Sequence, residues 1–117
     1  MIERRRHERV HCCIEARWQG LSGKNKAKVT DFAQGGCFVE SLGHATPGEC
    51  ITIEFNIDNE IWFTLKAEVI YCFSKMGFGI RFYNLRPKEE EMIAEIIIVN
   101  TSRNLRLTEQ PMPVVRG

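Results

Sequence analysis

Apolar and polar residues alternate over most of the first 82 positions, and that alternation changes phase at a few glycine-rich or proline-containing breaks. Val10, Cys12, Ile14, Ala16 and Trp18 are separated by His11, Cys13, Glu15 and Arg17. A period of two marks a strand with one buried face, so the first strand is predicted over Val10–Trp18. Gln19–Lys26, containing Gly20, Ser22, Gly23 and Asn25, is predicted as a loop. Extended structure resumes over Lys26–Thr30 around Ala27 and Val29. Asp31-Phe32-Ala33-Gln34-Gly35-Gly36 then predicts a turn whose paired glycines adopt positive φ cheaply. A short third strand follows at Cys37–Ser41.

Leu42–Glu49 holds Gly43, Pro47 and Gly48 and is predicted to be a loop. Beyond it, Cys50–Ile57 puts Ile51, Ile53, Phe55 and Ile57 on the inner face, opposite Thr52, Glu54 and Asn56. Asp58-Asn59 predicts a hairpin turn. In the longest run, Ile61, Phe63, Leu65, Ala67, Val69, Tyr71 and Phe73 share one face, with Thr64, Lys66 and Glu68 on the other. Ser74–Gly77 reverses the chain, and Phe78, Ile80 and Phe82 alternate with Gly79 and Arg81 in a sixth strand.

Short strands joined by turn signals predict a mainly β fold: a six-stranded antiparallel barrel with a C-terminal helix. At Pro87 the period changes. Proline in a first helical turn, followed by Glu89-Glu90-Glu91 near the positive end of the helix dipole, is a helix start. Met92, Ile93, Ile96 and Ile97 recur at helical spacing, predicting a helix that plugs a barrel opening or packs on its wall. The apolar run Ile96-Ile97-Ile98-Val99 is wide enough for part of it to face a second subunit, which raises a homodimer. The expected organisation is a flexible arginine-rich arm over 1–9, a barrel plus helix over 10–103, and a disordered tail over 104–117.

Composition narrows the function classes. The 117 residues suffice for one domain with a modest core. A net charge of +1 disfavours a general polyanion binder, which carries its excess over a whole face. No apolar run approaches the roughly 20 residues of a membrane span, and no export h-region is present, so a cytoplasmic location without membrane insertion is expected. The five cysteines include no C-x-x-C pair, and no metal site or cofactor is expected. His7, His11 and His44 have neither a nucleophile elbow nor a P-loop beside them, so an enzyme is not expected. His7 also sits among arginines, which disfavours its protonation.

The charge that stands out is local. Arg4, Arg5, Arg6 and Arg9 fall within six positions, and their mutual repulsion calls for anions. A guanidinium fork grips a phosphate, or the O6/N7 edge of guanine, through two hydrogen bonds. The residues therefore suggest an arm that clamps an anionic, guanine-bearing ligand against a turn further along. A solvated basic N-terminus without specific role is the plain alternative.

Arg5-x-x-x-Arg9 before the first strand, and Asp31-x-Ala33-x-x-Gly36 after the second, resemble the paired signatures of the PilZ domain family. The barrel-then-helix order matches, and Gly77-Phe78-Gly79-Ile80-Arg81-Phe82 is similar to that family's glycine-rich late strand. The resemblance spans roughly residues 3–100 and implies a receptor for cyclic di-GMP, a bacterial second messenger. By position, Arg5 and Arg9 would grip phosphate and guanine, with Arg6 contributing. Asp31 would accept from the guanine N1–H and N2–H2 edge, and Gly36, in the turn with Gly35, would let backbone approach the ligand. Ala33 replaces the family's usual serine, a lost contact of about 0.5–1.5 kcal/mol, or two- to tenfold in affinity. Arg4 resembles the residue of members that take up two stacked ligands. The arm is expected to be mobile until ligand folds it over the barrel, creating a surface that a downstream protein reads.

Two alternatives compete. A degenerate PilZ-like adaptor that binds only protein is supported by Ala33. A nucleic-acid-binding small barrel draws on the arm and on exposed aromatics such as Trp62. It is disfavoured by the near-neutral charge and by the lack of a basic stripe across the predicted strands.

Overall fold

The computed structural model of the chain describes residues 9–57, 59 and 61–109, with side chains as far as Asn104. Its elements are β1 (Arg9–Gly20), β2 (Gly23–Ala33), β3 (Gly36–Glu40), β4 (Cys50–Asn56), β5 (Trp62–Phe73), β6 (Gly77–Phe82) and α1 (Pro87–Glu109). The strands close into a barrel in the order β1-β2-β3-β6-β5-β4, every pairing antiparallel. Closure comes from β1 pairing with β4 over Ala16↔Phe55 to Gln19↔Thr52, so neither strand is left as an open edge. The predicted fold class is the observed one.

The alternating residues fill the barrel. Trp18, Phe32, Phe55, Phe78, Ile53 and Leu65 are fully buried, each contributing about 1.5–3 kcal/mol by leaving water. The rings meet edge to face, Trp18 against Phe78 at 5.0 Å and Phe32 against Phe55 at 5.5 Å, the geometry their quadrupoles favour. Trp18 keeps its indole N–H satisfied by donating to Ser41 Oγ at 3.0 Å, and Ser41 in turn donates to the Lys26 carbonyl at 2.9 Å.

α1 packs against the β1 side of the barrel, where Ile93 and Ile96 join the core. Its start is a half capping box: Glu89 Oε1 accepts from the Arg86 backbone N–H at 2.9 Å, with Pro87 at the first helical position. The helix continues through Glu109, past the boundary expected at 103. Positions 110–117 of the expected tail, and positions 1–8 of the arm, lie outside the described residues.

Several local expectations are corrected. The predicted loop at Gln19–Lys26 is a tight hairpin in which Gly20 pairs with Gly23 and only Leu21 and Ser22 form the turn. Gly20, Ser22, Gly23 and Asn25, the residues that signalled a loop, sit at or next to this tight turn, and β2 begins at Gly23 rather than at Lys26. Asp31, Phe32 and Ala33, read as turn, belong to β2, leaving Gln34 and Gly35 to join it to β3. Ile57 and Ile61 are exposed, since β4 ends at Asn56 and β5 begins at Trp62. Tyr71 and Phe73 are also exposed: a register shift between Val69 and Tyr71 inserts Ile70 and turns the rest of β5 inside out.

Candidate functional site

The β1–β2–β3 end of the barrel gathers several of the residues singled out by sequence. Arg9 opens β1 and pairs in register with Ala33, while Asp31 pairs with His11 on one side and with Phe38 on the other. A register shift between Val29 and Asp31 makes this possible. Val29 and Phe32 are both fully buried although three positions apart, and the interruption between them aims Asp31 outward.

Arg9 Nη1 lies 3.3 Å from Asp31 Oδ2, with the side chains 48% and 35% exposed. An ion pair that wet contributes at most about 1 kcal/mol to stability. Each partner can therefore exchange the other for an incoming group at little cost: the guanidinium for a phosphate, the carboxylate for a donor edge. Ala33, the register partner of Arg9, is buried. Of the eight candidate residues, Arg9, Asp31, Ala33, Gly35 and Gly36 fall in this region; Arg4, Arg5 and Arg6 lie outside the described residues.

The paired glycines do not take the positive φ expected of them in the turn. Neither Gly35 nor Gly36 adopts it; among the described residues the left-handed glycines are Gly23, Gly48 and Gly77. Gly36 pairs with Arg81, and a Cβ there would strike the Ile80 backbone carbonyl, so close β3–β6 packing itself requires glycine. The Gly35 carbonyl accepts from the Phe82 N–H at 2.9 Å and ties the turn to β6. Sequence reading did not pick out Arg81, which stands beside Gly36 and holds Glu68 at 3.1 Å.

Beneath the pair lie two thiols. Cys12 donates to the Val29 carbonyl at 3.4 Å, and its pKa is pushed up to about 12 by burial, then by the negative charge of Asp31. Burial also holds the Cys37 thiol well above its ordinary value, the nearby Arg9 charge offsetting only part of this. Both remain neutral thiols at physiological pH and are poor nucleophiles.

A basic stripe does exist. Lys24, Lys26 and Lys28 are exposed along one face of β2, none in an ion pair among the described residues. Lys28 lies between Glu15 and Glu40 on the flanking strands, so the net field is modest. Trp62, expected to be exposed, is half-buried beneath the Arg17 guanidinium, 3.8 Å from the ring centroid.

Comparison with known proteins places this geometry in context. The family model described as "PilZ domain" matches residues 3–98. No curated protein matches the chain. Among solved structures, the PilZ domain with c-di-GMP of YcgR from Escherichia coli superposes with a TM-score of 0.74 at 18% identity, covering 92% of this chain and 99% of that one. YcgR in complex with c-di-GMP, also from Escherichia coli, gives 0.72 at 21% identity over 90% of this chain and 49% of that one. The Bacillus subtilis inhibitor of motility (MotI/DgrA) gives 0.67 at 13% identity over 92% and 53%. At these identities the superpositions speak to the fold, and the chain spans about half the length of the latter two.

Proposed function

Because the chain belongs to the PilZ domain family, we propose that it is a bacterial cyclic di-GMP receptor, acting in the cytoplasm through a binding event and not through catalysis. The observation that carries this reading is the Arg9–Asp31 pair. A guanidinium and a carboxylate, 3.3 Å apart and half-exposed, sit on the barrel end from which the arginine arm departs. The ligand offers phosphates to the one and a guanine N1–H and N2–H2 edge to the other. Support also comes from YcgR, whose solved PilZ domain carries c-di-GMP on the same fold.

In this reading Arg5 and Arg6 join Arg9 around the ligand, and Arg4 helps neutralise the four phosphates of a stacked pair. The arm closes over the barrel face, and the resulting surface, part protein and part ligand, is read by a downstream protein. The exposed Ile98 and Val99 of α1 support self-association of the receptor.

Isothermal titration with cyclic di-GMP tests the proposal. The expected result is binding in the unmodified chain, with a stoichiometry near two ligands, and its loss in both Arg9→Ala and Asp31→Ala. Silence in the unmodified chain would instead favour the protein-only adaptor. The Lys24–Lys26–Lys28 row favours a second reading, a nucleic-acid-binding barrel. Its mark would be oligonucleotide affinity that falls steeply with salt and needs those lysines rather than Asp31.

A further inference from the structure

The outer wall of the barrel beside Asp31 carries aromatic rings that the core does not use. Following the register from strand to strand, His11 (β1), Asp31 (β2), Phe38 (β3), Gly79 (β6) and Tyr71 (β5) form one transverse row. Neighbouring strands lie about 4.8 Å apart, so the Phe38 position is one strand spacing from the carboxylate. Tyr71 belongs to the next strand but one beyond Phe38, and its ring leans back over Gly79, where a Cβ would collide with it. The ring thereby reaches Phe38, stacked on it at 6.4 Å with an interplanar angle of 26°. Phe73 closes the cluster, 5.4 Å from Tyr71 and 6.2 Å from Phe38.

The apolar surface this creates is not explained by folding. Tyr71 and Phe73 are 41% and 55% exposed, and they face out only because Ile70 interrupts the alternation of β5. A bulge that re-aims a side chain, and a glycine that leaves a recess for a ring, together build a shallow aromatic ledge. It ends at Asp31.

We propose that Phe38 and Tyr71 form a stacking platform for a purine of the bound dinucleotide, next to the carboxylate that reads a base edge. The inference rests on the receptor reading above. A two-ring base held edge-on by Asp31 extends over the neighbouring strand, and on the β3 side that strand presents Phe38 with Tyr71 behind it. Stacking adds affinity without reading the base, because every base has a π face, whereas Asp31 selects the donor edge. Platform and carboxylate thus divide affinity and selectivity between them. Phe73 is a positioning residue that keeps Tyr71 over Gly79.

Calorimetry with cyclic di-GMP on the whole chain tests this in Phe38→Leu, Tyr71→Leu and Tyr71→Phe, with Asp31→Ala as reference. Removing a stacked ring is expected to weaken binding by about 5- to 150-fold, while Tyr71→Phe, which keeps the ring, binds like the unmodified protein. Phe38 is half-buried and Tyr71 exposed, so Tyr71→Leu remains informative if Phe38→Leu disturbs the fold. In NMR spectra of the complex, the guanine H8 resonance should be shifted upfield by the ring currents, and the shift should shrink in Tyr71→Leu. Unchanged affinity and H8 shift in both leucine variants, with binding still lost in Asp31→Ala, would overturn the platform and leave the receptor intact. Absence of binding by the unmodified chain would defeat the receptor reading and the platform with it.

Discussion

At Ala33 one missing oxygen separates this chain from the family's second signature, and the residue, 7% exposed, is paired in register with Arg9. Restoring the hydroxyl offers the ligand one more neutral hydrogen bond, about 0.5–1.5 kcal/mol net. Ala33→Ser is therefore expected to tighten cyclic di-GMP binding two- to tenfold by calorimetry while leaving the thermal midpoint nearly unchanged; weaker binding would show that the added atom crowds the site. The thiols below make a second prediction at this scale. Cys37 is buried and its folded pKa lies well above the ordinary value of 9.0, and that of Cys12 is about 12. Above pH 9 the unfolded chain loses these protons while the folded chain retains them, so stability is fully present below pH 9 and falls as pH rises toward 12. A fully protected thiol gives a slope of about 1.4 kcal/mol per pH unit. Denaturant titrations at rising pH should show a shallower decline in Cys37→Ala than in the unmodified protein; parallel declines would place the alkaline sensitivity elsewhere.

Among the elements, the tip of the β1–β2 ribbon is held by a side chain from another part of the fold. Glu49, buried in the loop before β4, accepts from the Leu21 N–H at 2.6 Å and from the Thr46 N–H at 2.9 Å. Two charge-assisted bonds in a buried setting contribute about 1.5–3 kcal/mol each, and their loss leaves two amides without partners. Glu49→Ala should lower unfolding free energy by about 2–4 kcal/mol in urea titrations, with Glu49→Gln intermediate because its oxygen still satisfies one amide. This tie also shows where sequence reading stops. Sequence alone predicts a loop as far as Lys26, because Gly20, Ser22, Gly23 and Asn25 are turn-forming residues; with the first part of β2 assigned to that loop, the row of Lys24, Lys26 and Lys28 along one strand face is not visible. Period-two patterning did reveal the core of β1 and β4, since Val10, Ala16, Trp18, Ile51, Ile53 and Phe55 need only alternate to be buried. It misses phase resets: Thr30 and Ile70 look like ordinary strand residues, yet the shifts beside them turn Asp31 outward and expose Tyr71 and Phe73. Pairing between distant strands, such as Ala16 with Phe55, is also beyond local period. The proximity of Arg9 and Asp31 was legible through the paired motifs alone, because a separation of 22 positions implies contact only on a known scaffold.

For the molecule as a whole, the unsettled surface is the exposed apolar part of α1. Ile93 and Ile96 are buried against the barrel, but Ile98 and Val99 are 63% and 43% exposed on a helix of 23 residues, about 34 Å long. A twofold pairing of α1 with itself would cover these side chains, each copy offering the same patch. Two exposed aliphatic residues per copy give only a small fraction of the roughly 1,600 Å² of a standard interface, so area alone predicts a weak dimer. The expected behaviour is a monomer at low micromolar concentration and a dimer approaching millimolar, followed by sedimentation velocity, with Ile98→Lys monomeric throughout. Because Ile98 belongs to the helix and the Arg9–Asp31 pair to the barrel strands, the same substitution should leave cyclic di-GMP affinity unchanged. A monomer persisting at millimolar concentration, with and without ligand, would remove self-association from the mechanism and leave the exposed helix face as an ordinary apolar surface.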